Sequence, residues 1–379
     1  MKYLFIIGRN EDLSIAEIEE YLVKENNPAQ KLTLVDNGLL IETDKPLKKR
    51  AIDALGGTIS IGEVMAYGDD EKVFKELDKI MIYMGTSNKL TYVLWDFSDI
   101  WEETKEYLKA RFKSEKLKTA YKGLTGKVQM QDGEKGQKPS SKLIDEEYFI
   151  FQESGKQYFG KITQKCDYAS LEKRDMEKPV RRESLAIAPR LAKIMINLAH
   201  LKENDTLLDP FCGVGTMLQE GLLQRIKAVG VDLNAEAIKS ARKNLRWFKF
   251  KPEFYELFHG NSTDVEIPEV TAVATEPDLG AVLKKIPTKE IAGKTLQQFD
   301  NLMINVIKNI RPNVKGRIVF TSPYIRIGKK RVACNIEAIC EQTGYELTRD
   351  GIAEYRGNQV VGRMIYVLEK VKGFKPRLY

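Results

Sequence analysis

The chain has 379 residues, of which 61 are Lys or Arg and 54 are Asp or Glu, so its net charge is +7. This length predicts two or three domains with cores of their own, and no run approaches about 18 consecutive apolar residues, which excludes a transmembrane helix. With four cysteines, no CxxC spacing and two histidines (His200 and His259), we expect no disulfide scaffold, no metal site and a cytoplasmic location.

The first 66 residues predict a small α+β domain. Their patterns favour, in order, a strand at 2–8, a helix at 14–23, strands at 32–35 and 39–41, a helix at 46–55 and a strand at 58–65. We interpret the first apolar run as a strand and not as a signal peptide. Ser14 and Glu17 have the spacing of a capping box, and Asn37-Gly38 supplies the positive φ angles of a tight hairpin. This order of elements is that of a ferredoxin-like domain.

A more basic unit follows at residues 67–163. We expect helices at 73–84 and 100–113, a strand at 89–97, and a hairpin of 148–151 with 157–161. Basic residues are densest between 105 and 142, and two interpretations stay open: a solvated surface, or a track for the phosphates of a nucleic acid. The candidate RNA-binding residues are Lys109, Arg111, Lys113, Lys116, Lys118, Lys122 and Lys142.

Residues 164–185 are polar and charged and contain Pro179, so we interpret them as a linker. From residue 186, strands and helices alternate. We expect strands at 207–211, 228–233, 254–260, 270–277, 316–323, 345–348 and 364–370, and helices at 192–201, 217–224, 235–248, 296–310 and 332–342. This alternation predicts an open α/β sheet over 186–379, with its ligand at the carboxyl ends of the strands.

The strongest local signal is DPFCGVGT at residues 209–216, between a strand and a helix. Its two glycines allow a sharp turn and the close approach of a ligand to the backbone. Asp232 ends the next strand, where an acid accepts hydrogen bonds from ribose hydroxyls. Leu218 stands where a dinucleotide fingerprint has its third glycine, and a GKS or GKT phosphate loop is absent. Because Asp209 suits an ammonium group, the pattern favours a zwitterionic ligand that carries a sugar and an amino acid.

At these residues the sequence resembles the class I S-adenosylmethionine-dependent methyltransferases. DPFCGVGT is similar to their first motif and VGVDL (229–233) to their second, while Gly260-Asn261-Ser262 lies where the family has a Gly-Asp pair that contacts adenine. The resemblance implies S-adenosyl-L-methionine as the cofactor. It implies cofactor-binding roles for Asp209, Phe211, Gly213, Gly215, Thr216, Asp232, Leu233, Asn261 and Ser262.

Longer segments narrow the resemblance. LEKRDMEKPVRRES and APRLAKIMINLA, followed by the DPFCGVGT strand, are similar to the tRNA guanine-10 N2-methyltransferase family and to the wider group of RNA methylases with an N-terminal THUMP module. The segments YLFIIGRNEDLSIAEIEEYL and YFIFQESGKQYFGKIT resemble the same family. The resemblance implies a ferredoxin-like domain at 1–66, a THUMP-like RNA-binding domain at 67–163, a linker at 164–185 and a Rossmann-like methyltransferase domain at 186–379. It also implies tRNA as the partner.

The loop after the fourth strand of the last domain departs from the family pattern. Amino-methyltransferases of this group usually carry Asp-Pro-Pro-Tyr there, whereas this chain has Glu276-Pro277-Asp278-Leu279. The predicted catalytic residues are Glu276, Pro277 and Asp278, with Glu276 and the Pro277 carbonyl accepting the hydrogens of an exocyclic amine and orienting it for in-line attack on the sulfonium methyl.

Leu279 cannot stack on a flipped base. Phe211 or Tyr324 is a candidate substitute, and strand-end packing is the other interpretation of Tyr324.

Three functional hypotheses follow. The leading one is a tRNA methyltransferase that uses S-adenosyl-L-methionine to methylate N2 of a guanine of the position-10 type. The second is a DNA adenine or cytosine amino-methyltransferase, which shares the loop chemistry but has no need of the N-terminal modules. The third is an RNA-binding protein with a degenerate methylase domain, motivated by the altered loop. No membrane is expected; a monomer fits the sequence, which leaves oligomeric state and any accessory subunit open.

Overall fold

The computed structural model describes residues 1–124, 143–181, 187–279, 285–371 and 373, together with the backbone of residues 126–129 and 135–138. These residues form two compact units. The first unit comprises Met1–Ile15, Glu25–Asp53 and Gly57–Cys166, and the second unit comprises Ala16–Lys24, Ala54–Gly56 and Asp167–Tyr379. No helix within the described ranges is long and apolar enough to cross a membrane.

The first unit is built on one eight-stranded sheet. From the amino terminus its elements are β1 (Lys2–Ile7), α1 (Glu11–Lys24, which continues into the second unit), β2 (Lys31–Val35), β3 (Gly38–Glu42), β4 (Thr58–Gly68), α2 (Asp70–Leu77), β5 (Lys89–Phe97), α3 (Trp101–Ser114), β6 (Lys118–Tyr121), β7 (Gly126–Gln129), β8 (Lys135–Lys138), β9 (Glu146–Glu153) and β10 (Lys156–Lys165). The strand order is β2-β3-β1-β4-β10-β9-β5-β6, and β7 pairs with β8 separately.

The first four strands have the ferredoxin-like order. β3 and β4 both pair antiparallel with β1, and β2 pairs antiparallel with β3. The predicted helix at 46–55 is wrong, since the structure has only a 3-10 helix at Ala51–Ala54. In this stretch only Ala51, Ile52 and Leu55 are buried, too few for an amphipathic helix face. In the β2–β3 turn the positive φ angle, 48°, belongs to Asp36, and Gly38 already pairs in β3.

The predicted capping box at the start of α1 is wrong. The helix begins at Glu11, three residues earlier, because Asn10 supplies the cap. The Asn10 side-chain oxygen accepts the backbone N–H of Leu13 at 3.1 Å. Ser14 lies inside the helix, where its hydroxyl donates to the Asn10 carbonyl at 2.6 Å.

The remaining strands extend the same sheet. β5 is parallel to β6 and β9, β9 and β10 form the predicted hairpin, and β10 pairs antiparallel with β4. Helix α2 ends at Leu77 and so is shorter than the predicted 73–84. β4 runs across the predicted domain boundary at residue 66. The division into a ferredoxin-like and a THUMP-like domain stays a prediction.

The second unit contains a larger, mostly parallel sheet. Its elements are α4 (Tyr168–Met176), α5 (Pro189–Leu198), β11 (Thr206–Asp209), α6 (Thr216–Leu223), β12 (Lys227–Asp232), α7 (Ala235–Trp247), β13 (Tyr255–His259), β14 (Ala272–Thr275), α8 (Lys289–Ile310), β15 (Ile318–Ile327), β16 (Lys330–Val332), α9 (Ile336–Thr343), β17 (Tyr345–Leu347), β18 (Ile352–Glu354) and β19 (Val361–Lys370). The strand order is β13-β12-β11-β14-β15-β19-β17, with β16 beside β15 and β18 beside β19.

The predicted open α/β sheet over this part of the chain is confirmed. Five neighbouring strands run parallel, in the spatial order β13, β12, β11, β14 and β15. Strand β19 is antiparallel to β15 and to β17. The strand order reverses between β11 and β14, so a crevice is expected outside the carboxyl ends of these strands. The core beneath them is formed by apolar side chains such as Val229, Val273, Phe299 and Phe320.

Two helix predictions near the carboxyl terminus need correction. α8 begins at Lys289 and not at 296, because the Thr288 hydroxyl accepts the N–H of Ile291 at 3.3 Å. The predicted helix at 332–342 begins at Ile336, since Asn335 caps it and the preceding Lys330–Val332 forms strand β16.

The helix segment Ala16–Lys24 belongs to the second unit and supplies it with charged groups. Glu17 accepts hydrogen bonds from the Gly56 N–H and the Asn197 amide, both at 2.7 Å. Glu20 pairs with Arg317 at 2.8 Å and with Arg349 at 3.2 Å. Burial acts to raise the pKa of Glu20, but His200 and Arg317 outweigh it and lower that pKa to about 2.

The predicted linker contains helix α4 and is attached to the second unit at three places. Arg174 forms a two-pronged ion pair with buried Glu220 of α6, at 2.8 and 3.0 Å. Lys178 donates to the Thr216 hydroxyl at 3.0 Å. The backbone of Val180 is bound by the side-chain amide of Asn244. Segment 167–181 therefore lies against α6 and α7.

Candidate functional site

Asp209, the last residue of β11, has a side chain at the carboxyl end of the sheet and is 3% exposed. One of its oxygens accepts the Thr275 hydroxyl at 2.6 Å and the Phe211 N–H at 3.1 Å. Burial raises the pKa of Asp209 to about 7, against the lowering effect of these hydrogen bonds. Both of these hydrogen bonds end on Oδ1. An ammonium group is the natural partner of such a buried carboxylate.

The glycine loop (residues 209–216) turns from β11 into α6. Gly213 and Gly215 have φ angles of 51° and 87°, the left-handed region that L side chains rarely adopt. A Cβ on Gly213 would meet no atom within 4 Å, so the space over this residue is open to a ligand. Thr216 starts α6 and is buried, with its hydroxyl bound by Lys178.

Asp232 ends β12 and holds the glycine loop. One of its oxygens accepts the Gly213 N–H at 2.9 Å, and the other accepts the Asn234 N–H at 2.8 Å. Each carboxylate oxygen retains acceptor capacity for a vicinal pair of hydroxyls, as in ribose. Leu233 follows and is 71% exposed, which suits an apolar wall for a flat ring.

The third predicted cofactor segment follows β13. Asn261 is exposed, and its side-chain oxygen accepts the Thr263 N–H at 3.1 Å. Ser262 is buried, and its hydroxyl donates to the carbonyl of Pro210 in the glycine loop. Phe211 is half buried against the main core. Asn261 thus presents polar atoms to solvent, whereas Ser262 braces the loop.

Glu276 follows β14 directly and has a side chain that is 10% exposed. The Nε–H of Arg363, in β19, donates to Oε1 at 2.9 Å, and a terminal nitrogen of the same guanidinium forms an ion pair with that oxygen at 2.8 Å. Oε2 is buried and has no hydrogen-bond partner among the described residues. Burial raises the pKa of Glu276, while the charge of Arg363 opposes the rise. Pro277 is buried, and Asp278 is exposed.

Tyr324 of β15, Arg331 of β16 and Tyr355, which follows β18, form a tyrosine–arginine cluster. The Arg331 guanidinium lies over the Tyr355 ring at 4.3 Å and the Tyr324 ring at 5.7 Å, and the two rings are 5.8 Å apart. Arg331 also donates to the Tyr324 carbonyl at 3.1 Å. Tyr324 therefore packs in this cluster, as the strand-end interpretation expects.

Comparison with known proteins identifies the fold of the second unit. Residues 179–305 match the family model of the RMKL-like methyltransferase domain. TrmN from Thermus thermophilus superposes with a TM-score of 0.52 at 13% identity, covering 98% of this chain and all of that one. A possible methylase from Clostridium difficile 630 gives 0.50 at 15% identity, with complete coverage of both chains. The second unit has the class I methyltransferase fold.

Two curated relatives match over part of this chain. A tRNA (guanine(10)-N2)-dimethyltransferase from Methanothermobacter thermautotrophicus is 33% identical over 96 residues, which is 25% of this chain and 28% of that protein. A second, from Pyrococcus abyssi, is 31% identical over 118 residues, 30% of this chain and 33% of that protein. The matches thus span a third or less of these relatives.

Two residues that contact the candidate site in the second unit, Arg363 and Lys178, were not predicted from the sequence. Arg363 lies 87 positions from Glu276, and only the pairing of β19 with β15 brings it to the site. Lys178 lies in the predicted linker, yet its side chain is 1% exposed and donates a hydrogen bond to Thr216, the first residue of α6. The signal that could have identified Lys178 is its place before Pro179 in the segment LEKRDMEKPVRRES, which resembles the family.

The candidate RNA-binding residues lie in the first unit, apart from Lys142, which lies outside the described residues. Arg111 is engaged within the fold, with Glu115 at 2.6 Å and the carbonyls of Leu77 and Ile80 at 3.0 and 2.9 Å. Lys109 pairs with Glu106 at 3.2 Å. The other four, Lys113, Lys116, Lys118 and Lys122, are exposed.

No group of three or more His, Cys, Asp or Glu in the described ranges has the arrangement of a metal site. Cys212 lies in the glycine loop, but burial raises the pKa of its thiol well above the usual value. It is therefore a packing residue at neutral pH and no nucleophile.

Proposed function

We propose that the second unit binds S-adenosyl-L-methionine and directs methyl transfer to an exocyclic amine. The observation that carries the proposal is Oε2 of Glu276, which is buried and has no hydrogen-bond partner within the described ranges. Glu276 directly follows β14, the strand that pairs with β11, which ends at Asp209. The residues fit the cofactor: Asp209 would hold its ammonium group, the open glycine loop its amino-acid chain and Asp232 its ribose. Bound there, the cofactor supplies an electrophilic sulfonium methyl group.

The chain's own contribution is orientation and electrostatics. Glu276 Oε2 and the Pro277 carbonyl would each accept one hydrogen of the target amine. A nucleobase amine is a weak nucleophile because its lone pair is delocalised into the ring. Two acceptors that hold both hydrogens favour the form in which the lone pair points at the methyl group, and such positioning in a desolvated site accelerates transfer.

We infer that the substrate is tRNA and the target a guanine N2 amine. The two relatives named above, both called tRNA (guanine(10)-N2)-dimethyltransferases, support this substrate class. In the first unit, the exposed Lys113, Lys116, Lys118 and Lys122 would contact phosphates, whose charge supplies sequence-independent affinity.

Mass spectrometry of nucleosides tests the proposal, after the full chain has been incubated with tRNA and the cofactor. We expect N2-methylated guanosine from the wild type. Glu276→Ala should abolish it while leaving cofactor affinity within about twofold, and Glu346→Ala, at an exposed glutamate of β17, should match the wild type. Methylated adenine or cytosine would instead identify another amino-methyltransferase. If the cofactor binds but no methyl group is transferred to any RNA or DNA, the result would support the third hypothesis, an RNA-binding protein with a degenerate methylase domain.

A further inference from the structure

The contact between Arg363 and Glu276 is one-sided. Arginine usually meets a carboxylate as a fork, with one N–H on each oxygen. Here the Nε–H donates to Oε1 at 2.9 Å, and the terminal nitrogen closest to the carboxylate lies 2.8 Å from the same oxygen. Oε2 is left buried without a partner in the described part of the chain. A buried carboxylate oxygen without a donor is costly, so the arrangement suits an oxygen that awaits a donor from outside.

The orientation of Arg363 is fixed by its neighbours in the sheet. Arg363 stands directly opposite Pro323 in β15 and opposite Glu354 in β18. Its remaining terminal nitrogen lies 3.8 Å from Glu354. The guanidinium is therefore held between the carboxylates of Glu276 and Glu354.

We propose that Arg363 is a positioning residue for methyl transfer: it binds Oε1 of Glu276 so that Oε2 faces the N–H of the target amine. This inference rests on the proposed function. It adds a requirement that the motif at residues 276–279 does not contain: Glu276 acts together with Arg363, which lies on the antiparallel strand β19.

Charge reinforces the geometry. Burial raises the pKa of Glu276, Arg363 opposes that rise, and the negative charge of Glu354 adds to it. Asp209 is a further carboxylate in this region, since the charge of Glu276 acts to raise the pKa of Asp209. Without Arg363 the Glu276 carboxyl would keep its proton to higher pH. A protonated oxygen would donate to the amine lone pair and so block the atom that must attack.

The test compares Arg363→Gln and Arg363→Lys with the wild type in two measurements. The first is the pH dependence of the single-turnover methyl transfer rate. The second is an infrared titration of the Glu276 carboxyl group, assigned by its disappearance in Glu276→Gln. In Arg363→Gln both midpoints should move up by about 1–3 pH units, the usual effect of an opposite charge at this distance. Cofactor affinity should stay within about twofold.

Arg363→Lys keeps the charge but replaces the planar guanidinium and its Nε–H donor by a flexible ammonium group. Its titration should stay near the wild type while its rate falls, which separates charge from orientation. Arg326→Gln is the matched control, because among the described residues the Arg326 side chain donates to the carbonyls of Gly328 and Gly357 and to no carboxylate. It should change neither measurement.

A double variant keeps the proposal testable if Arg363→Gln folds poorly. In a Glu276→Gln background, Arg363→Gln should lower the rate by less than about threefold, because the group it positions is already gone. Independent losses in the two backgrounds would overturn the inference, as would an unmoved Glu276 titration. If no nucleic acid is methylated, the proposed function fails, while the titration still decides whether Arg363 governs Glu276.

Discussion

Replacement of Asp209 by Asn separates a binding role from a structural one. Asn keeps an oxygen that can accept the Thr275 hydroxyl and the Phe211 N–H, but it carries no charge. With a pKa of about 7, Asp209 is half ionised at pH 7. Because a cofactor ammonium requires the ionised form, wild-type affinity should fall about 50-fold between pH 7 and pH 5.

The raised pKa of Asp209 also determines how the free energy of unfolding depends on pH. The pKa of Asp209 rises from 3.8 in the unfolded chain to about 7 in the folded one, so the folded state binds the proton more tightly. Stability is therefore lost as pH rises from about 4 to 7. At about 1.4 kcal/mol per pH unit, the ionised side chain destabilises the cofactor-free protein at pH 7 by on the order of 4 kcal/mol. Asp209→Asn should relieve part of this.

Calorimetric titration with S-adenosyl-L-methionine at pH 5, 6 and 7 measures the first effect, and thermal unfolding without cofactor measures the second. We expect the Asn variant to bind about 10–100-fold more weakly at pH 7, since a charge-assisted bond is lost. Its affinity should not vary with pH, and its melting temperature should be equal or higher. Asp205→Asn, in the turn before β11, is the control. Wild-type affinity that is flat from pH 7 to pH 5 would refute the reasoning.

Three further outcomes are expected. Asp232→Ala removes two loop hydrogen bonds and the ribose acceptor, so calorimetry should show an affinity loss of about 100-fold or more; a loss below threefold contradicts the assignment. Joint replacement of Lys113 and Lys116 by Gln should weaken tRNA binding and lower the slope of log affinity against log salt by about 1.5–2 in filter binding; an unchanged slope removes them from the interface. Glu20→Gln should lower the urea unfolding free energy at pH 7 by about 3 kcal/mol, because a carboxylate with a lowered pKa stabilises the fold above its unfolded pKa; the difference from wild type should vanish as pH falls from about 4.5 to 2. A difference that persists at pH 2 argues against that ion-pair network.

The parts of the fold that could be predicted are those in which local pattern and tertiary packing agree. The strand before Asp209, the two glycines and the strand before Asp232 form one βαβ unit, and the structure joins them through the Gly213–Asp232 hydrogen bond. Short-range spacing is sufficient there because the turn, the helix start and the strand end are neighbours in sequence.

The missed parts depend on partners that are distant in sequence or on unrecognised caps. Asn10 and Thr288 start their helices earlier than apolar periodicity indicated, because the first turns are largely polar. Arg363 precedes the predicted strand at 364–370, and β19 begins at Val361 because it pairs with the extended end of β15. Spacing along the chain carries no information on which arginine reaches Glu276.

Because Ala16–Lys24 of α1 belongs to the second unit, this unit is not encoded by one continuous stretch of the chain. A gene fragment that starts at Asp167 would encode every strand of the larger sheet, yet it would leave Asn197 and Arg317 without Glu17 and Glu20. Recombination between proteins therefore cannot exchange this catalytic unit as one continuous cassette. A functional exchange has to carry the amino-terminal helix along, or replace the buried amide and guanidinium with side chains that need no acidic partner.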